Sequence, residues 1–189
     1  SFVRLRKHER LLDIGSGCGI IPIYISRKGY TNDMTGVELQ KSLFNAAEKN
    51  KVLNECGHHV RFINADIRSL IKDMKKESFQ VVVSNPPYTK RRSGRTCPDE
   101  SRLLARYEEK LDIEMLLYAT ASLLSKKGRF YTIYPAHRLG ELVSSAQSKK
   151  LTLKRLRVVY PRQNEEANLI LAEFLKDGGM GVTIEKPLY

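Results

Sequence analysis

Arg10-Leu11-Leu12-Asp13-Ile14-Gly15-Ser16-Gly17-Cys18-Gly19 decides how this chain folds. An apolar run closes on an acid, breaks into three glycines within five residues, and gives way to a helical pattern from about Ile20 to Lys28. Glycines at such a strand-to-helix turn let the backbone bend tightly and approach a ligand with no Cβ between them. The context suits a nucleotide-type ligand, although a Gly-x-Gly-x-Gly run by itself also fits a tight turn that binds nothing.

Apolar runs and helical patterns keep alternating downstream, the signature of a parallel sheet with helices on both faces. Met34–Glu38 reads as a second strand. Leu39, Leu43, Ala46, Ala47 and Leu53 then recur at helical offsets, and His59 to Asn64 reads as a third strand. The most strand-like run, Phe79 to Ser84, is stopped by Asn85-Pro86-Pro87-Tyr88, because two prolines cannot join a central ladder. Residues 89–106 show no periodicity and carry six basic side chains against two acidic ones, which predicts a basic loop. A helical stripe from Ile113 to Leu124, a fifth strand over Gly128–Tyr134 and another helix from Leu139 to Ala146 follow. Two last strands are expected near 152–160 and 168–175. The seven residues between them are too few for a parallel crossover, so this pair should be antiparallel. The expected fold is α/β and Rossmann-like, a single domain over residues 1–189 with a seven-stranded, mostly parallel sheet, a C-terminal antiparallel hairpin and helices on both faces.

The chain has 33 lysines and arginines against 21 acids, a formal net charge of +12, which favours a polyanionic partner over a small neutral ligand alone. Cys18, Cys56 and Cys97 are too far apart in sequence for a paired metal or disulfide pattern, which suggests a reducing, cytoplasmic setting and no metal. No apolar run nears the roughly 20 residues needed to cross a bilayer, so no membrane role is expected. The first residue is Ser1 and strand character begins almost at once, so a further N-terminal segment is expected in the whole protein.

Glu38 ends the second strand 23 residues after Gly15, where an acid can accept hydrogen bonds from ribose hydroxyls. Ala65-Asp66-Ile67 brings another carboxylate and an apolar side chain to the end of the third strand, although an Asp there is also a common helix cap. Three strand ends thus address one rim of the sheet, where open parallel sheets bind their ligands. With these residues the chain resembles the class I S-adenosylmethionine-dependent methyltransferases. The resemblance implies S-adenosylmethionine as cofactor, with Asp13, Gly15, Gly17, Glu38, Asp66 and Ile67 as its contacts.

Asn85-Pro86-Pro87-Tyr88 sits at the fourth strand's end, where the transferred methyl points in that fold. A planar amino nitrogen is a poor nucleophile because its lone pair is delocalised, so an enzyme must accept its N–H bonds and draw the lone pair outward. Asn85 offers a side-chain carbonyl, Pro86 a backbone carbonyl, and the adjacent Pro87 restricts the chain so that both stay in place. Tyr88 can stack on the base. The tetrapeptide resembles that of amino-methyltransferases acting on adenine N6, guanine N2 or the glutamine of release factors, so it selects planar amino nitrogens rather than adenine.

Arg106-Tyr107-Glu108, Pro135-Ala136-His137-Arg138-Leu139, Lys154-Arg155-Leu156-Arg157, Tyr160-Pro161-Arg162 and Glu166-Ala167-Asn168 are similar to the tRNA1(Val) adenine N6-methyltransferase family, which modifies the adenine just 3′ of the anticodon. That resemblance implies a tRNA partner. Residues 142–164 hold six basic side chains and no acid, a second cationic stretch beside the loop. Lys90, Arg91, Arg92, Arg95, Lys154, Arg155, Arg157 and Arg162 are the expected phosphate contacts. A release-factor glutamine methyltransferase, a nicotinamide dehydrogenase and an inactive RNA-binding module are the competing readings.

Overall fold

Every residue of β1 (Leu11–Ile14) is buried, because both faces of the sheet around it are covered. This computed structural model describes residues 2–86 and 113–189. Around β1 lie β2 (Met34–Glu38), β3 (Val60–Asn64), β4 (Phe79–Ser84) and β5 (Leu124–Pro135), all parallel. After β6 (Leu151–Val159) the chain returns as β7 (Leu169–Lys176), which slots between β5 and β6 and runs antiparallel to both. The expected hairpin is therefore present. A two-residue strand, β8 (Thr183–Ile184), adds itself beside β6 and makes an eight-stranded sheet of order β3-β2-β1-β4-β5-β7-β6-β8.

Alternate side chains of each strand supply two separate cores. Leu11, Met34, Val60, Phe62, Val81 and Val83 pack with Ile23, Ile25 and Ala47 of α1 (Ile20–Arg27) and α2 (Lys41–Leu53). Leu12, Ile14, Val82 and Phe130 face the other way, in one cluster with Ile67 of α3 (Ile67–Asp73), Leu116 and Leu117 of α4 (Ile113–Leu123) and Leu142 of α5 (Leu139–Ser148). Phe62 also seats the glycine loop. A Cβ on either Gly19 or Gly36 would lie 2.5 Å from its ring, so β2 and the start of α1 close around that ring only because both positions lack a side chain.

A register shift between Leu153 and Arg155 breaks the alternation of β6. Leu151, Leu153 and Leu156 all serve the core beneath α4 and α5, whereas Arg155 pairs with Glu173 of β7. The N-terminal strap, residues 2–9, meets this polar surface. Phe2 lies edge-on to Tyr131 at 6.1 Å, and the Arg155 guanidinium stands 4.2 Å over the Phe2 ring.

Candidate active site

Gly15, Gly17 and Gly19 all have positive φ, at 74°, 56° and 82°, a backbone that side-chain-bearing residues rarely adopt. The loop is anchored from beneath, as the Gly15 and Ser16 amides donate to the Val37 carbonyl at 2.9 and 3.0 Å. A Cβ added at Gly17 would meet nothing within 4 Å, so the loop's upper surface faces open space.

Glu38 is buried at the end of β2. Its carboxylate accepts from the Gly17 and Gln40 amides, both at 2.8 Å, so this acid shapes the loop directly. Asn64 donates from Nδ2 to the Glu38 and Leu39 carbonyls and ties the β3 end to this rim. Asp66 is the N-cap of α3, accepting from the Arg68 amide at 2.9 Å and pairing with the Arg68 guanidinium at 2.6 Å. Ile67 is 5% exposed and belongs to the core under α3.

Asp13 is the least conventional group here. It is 1% exposed, and neither carboxyl oxygen has a hydrogen-bond partner among the described residues; the buried Ser16 Oγ also lacks one. Orphaned acceptors at this depth are costly unless a ligand or water meets them. Burial, reinforced by the nearby Glu38 charge, raises the Asp13 pKa from 3.8 to about 8. The folded chain thus holds a proton between those values that the unfolded chain has released, so stability falls as pH rises from about 4 to about 8. Calorimetry of the ligand-free protein should show this fall, and Asp13→Asn should flatten it. Identical slopes for the two proteins would reject Asp13 as the titrating group.

The last residue of β4, Ser84, donates from Oγ to the Ile14 carbonyl at 2.7 Å and fastens the ends of β4 and β1 together. Asn85 follows at once, exposed, and Pro86 is buried. Asn85 lines a cavity of about 140 Å3 with Phe2, Ile21, Val83, Tyr131 and Ile133. Asp13, the glycine loop, Glu38 and Asn85 therefore share one rim. Sequence reading overlooked Ser16, Ser84 and Asn64. Only the position of Ser84, next to Asn85, hinted at its role.

Pro87, Tyr88, Lys90, Arg91, Arg92 and Arg95 lie outside the described residues. For the second cationic stretch the structure corrects the expectation. Arg155 is 6% exposed and is bound by Glu173 at 2.5 Å, by Glu185 at 2.6 Å and by the Phe2 carbonyl at 2.5 Å, so its charge is spent inside the protein. Arg157 also pairs with Glu185. The Lys154 ammonium is chelated by the carbonyls of Gly179, Met180 and Gly181 at 3.1, 3.1 and 2.8 Å. Arg162 alone of these four keeps a highly exposed side chain, with a 3.5 Å pair to Glu165.

The profile of the methyltransferase small domain matches residues 2–137. Over 177 residues the chain is 27% identical to a tRNA1(Val) (adenine(37)-N6)-methyltransferase of Flavobacteriaceae bacterium (strain 3519-10), covering 94% of this chain and 73% of that protein. A protein of the same name from Tolumonas auensis is 31% identical over 172 residues, 90% of this chain and 70% of its own length. Among solved structures, a predicted O-methyltransferase from Agrobacterium tumefaciens superposes with a TM-score of 0.75 at 17% identity, over 98% of this chain and 82% of that one. At that identity the likeness concerns the fold alone.

Proposed function

Since the chain belongs to the methyltransferase small domain family, we propose that it transfers the methyl group of S-adenosylmethionine to the exocyclic N6 of an adenine in tRNA, at the position beside the anticodon of a valine tRNA. One observation carries this reading. The Ser84–Ile14 hydrogen bond sets Asn85 at the strand end beside the glycine loop, so an amine acceptor and a cofactor cradle open on the same rim.

The residues present fit the cofactor. The open surface over Gly17 leaves room for close backbone approach, and the unpartnered Asp13 and Ser16 oxygens offer acceptors beneath it. Gly15, Gly17, Asp13 and Glu38 are the proposed contacts, with Asp66 and Ile67 at the adjoining strand end. When bound, S-adenosylmethionine supplies an electrophilic methyl on a sulfonium. The Asn85 side-chain carbonyl and the Pro86 backbone carbonyl accept hydrogen bonds from the two N6–H groups, which draws the lone pair out of the ring for attack; as the new N–C bond replaced the sulfonium C–S bond, one N6 proton would pass to solvent. Holding the amine in that pose removes much of the entropic barrier. Pro87 stiffens the clamp and Tyr88 stacks on the extruded base. Arg162 and the cations Lys90, Arg91, Arg92 and Arg95 are the proposed phosphate contacts, and a tRNA substrate is in keeping with a cytoplasmic protein.

Incubation with radiolabelled S-adenosylmethionine and, in parallel, bulk tRNA, ribosomal RNA and a release factor tests the proposal. Label recovered from tRNA as N6-methyladenosine is expected. Label confined to the protein fraction would move the substrate to a glutamine side chain.

A further inference from the structure

A groove of about 380 Å3 lies between the N-terminal strap and α1, lined by Val3, Leu5, Tyr24, Ile25, Lys28 and Tyr30. It shares no residue with the Asn85 cavity except Val3, and nothing in the methyl-transfer chemistry above uses it. Two of its walls are aromatic and unusually open, with Tyr24 53% and Tyr30 43% exposed. The Lys28 ammonium stands 5.4 Å over the Tyr24 ring, so charge and π-surface are presented together.

The electrostatic surroundings select the occupant. Residues 2–30 carry six cations, Arg4, Arg6, Lys7, Arg10, Arg27 and Lys28, all exposed. Of the two acids in that span, Glu9 is paired with Arg129 and Asp13 is buried. The exposed Asp33 stands just beyond Tyr30, and Glu185 pairs with Arg4 at 3.7 Å, so Arg6, Lys7, Arg10, Arg27 and Lys28 supply most of the positive charge. A neutral apolar ligand has no use for this charge. Exposed aromatics inside a cationic surface are what single-stranded nucleic acid requires, since stacking accepts any base and the cations follow its phosphates. α1 starts at the active-site rim, and its eight residues rise about 12 Å, so the groove is within reach of nucleotides next to a base held at that rim.

We propose that this groove is a second RNA-binding site, in which an unpaired base flanking the target adenine stacks on Tyr24 and Tyr30 while Lys28 holds a neighbouring phosphate. The proposal rests on the tRNA reading given above for its ligand. It assigns part of the affinity for tRNA to a surface remote from the reacting atoms.

Filter binding of bulk tRNA to the full chain, with S-adenosylmethionine present, tests it. The double variant Tyr24→Ala/Tyr30→Ala should weaken binding by about ten-fold or more, as loss of base stacking does. Tyr24→Phe/Tyr30→Phe keeps the rings and should bind within about two-fold of wild type. Lys28→Gln should lower the slope of log affinity against log salt by about one. Melting temperature, cofactor affinity and turnover at saturating tRNA should stay at wild-type values in all three. Unchanged tRNA affinity in the alanine pair would overturn the proposal. So would a large fall in melting temperature in that pair, which would make the groove a seat for the chain's own segments. Wild-type methylation is scored separately. Methylated tRNA with normal binding by the alanine pair removes the groove alone, tRNA bound through the groove but never methylated removes the substrate reading alone, and no affinity for any RNA removes both.

Discussion

Asn85→Ala is expected to leave tRNA and cofactor affinities close to wild type while lowering turnover by about 100- to 1000-fold, the cost of deleting one preorganised polar group that acts mainly in the transition state. The side chain is exposed at the end of β4, so its removal opens no core cavity and the melting temperature should hold. What is lost is one of two acceptors that draw out the amine lone pair. Single-turnover methylation at saturating tRNA and cofactor measures this directly. A rise in KM for tRNA with unchanged kcat would mean that Asn85 binds the base without activating it, and the clamp would have to be relocated.

Removing Arg155 should produce the second large effect, and it should appear in stability rather than in RNA affinity. Arg155→Ala leaves the Glu173 carboxylate, itself 9% exposed, without its 2.5 Å partner. Breaking a buried ion pair from one side costs about 3–5 kcal/mol, whereas replacing both partners by apolar residues of similar volume costs far less. Urea unfolding should therefore show a severe loss for Arg155→Ala and substantial recovery in Arg155→Met/Glu173→Met. The salt dependence of tRNA binding by the folded protein should not change, because this guanidinium neutralises no phosphate. A variant of full stability with a flattened salt slope would return Arg155 to the RNA interface.

These two residues also show where sequence reading works and where it stops. The place of Asn85 in the fold was legible because its neighbours explain it: a continuous apolar run makes β4 a central strand, and Asn85-Pro86-Pro87 in the sequence marks where that strand stops. The position of Glu38 at the end of β2 was legible by distance from the glycines, although its grip on the Gly17 amide was not, since that bond depends on the loop's left-handed turns. The terminal hairpin followed from the short stretch between its strands. Arg155 was misread because Lys154-Arg155-Leu156-Arg157 looks like a cationic run; the bulge after Leu153 moves Arg155 off the face of Leu151 and Leu153 onto the opposite face, where Glu173 and Glu185 enclose it. Its partners sit on β7 and just after β8, known only once strand register is fixed. β8 itself is two residues long and follows a glycine-rich turn, so no periodicity announced it.

The insertion of β7 between β5 and β6 also bears on how the protein is made. As the polypeptide leaves the ribosome, β5 and β6 emerge first and must wait for a later segment to bridge them. Until then each presents an open hydrogen-bonding edge, the kind of surface that attracts chaperones and invites self-association. A nascent product cut short by a premature stop before Leu169 would keep both edges bare, so shortened products should be cleared by proteolysis rather than persist as defective enzyme.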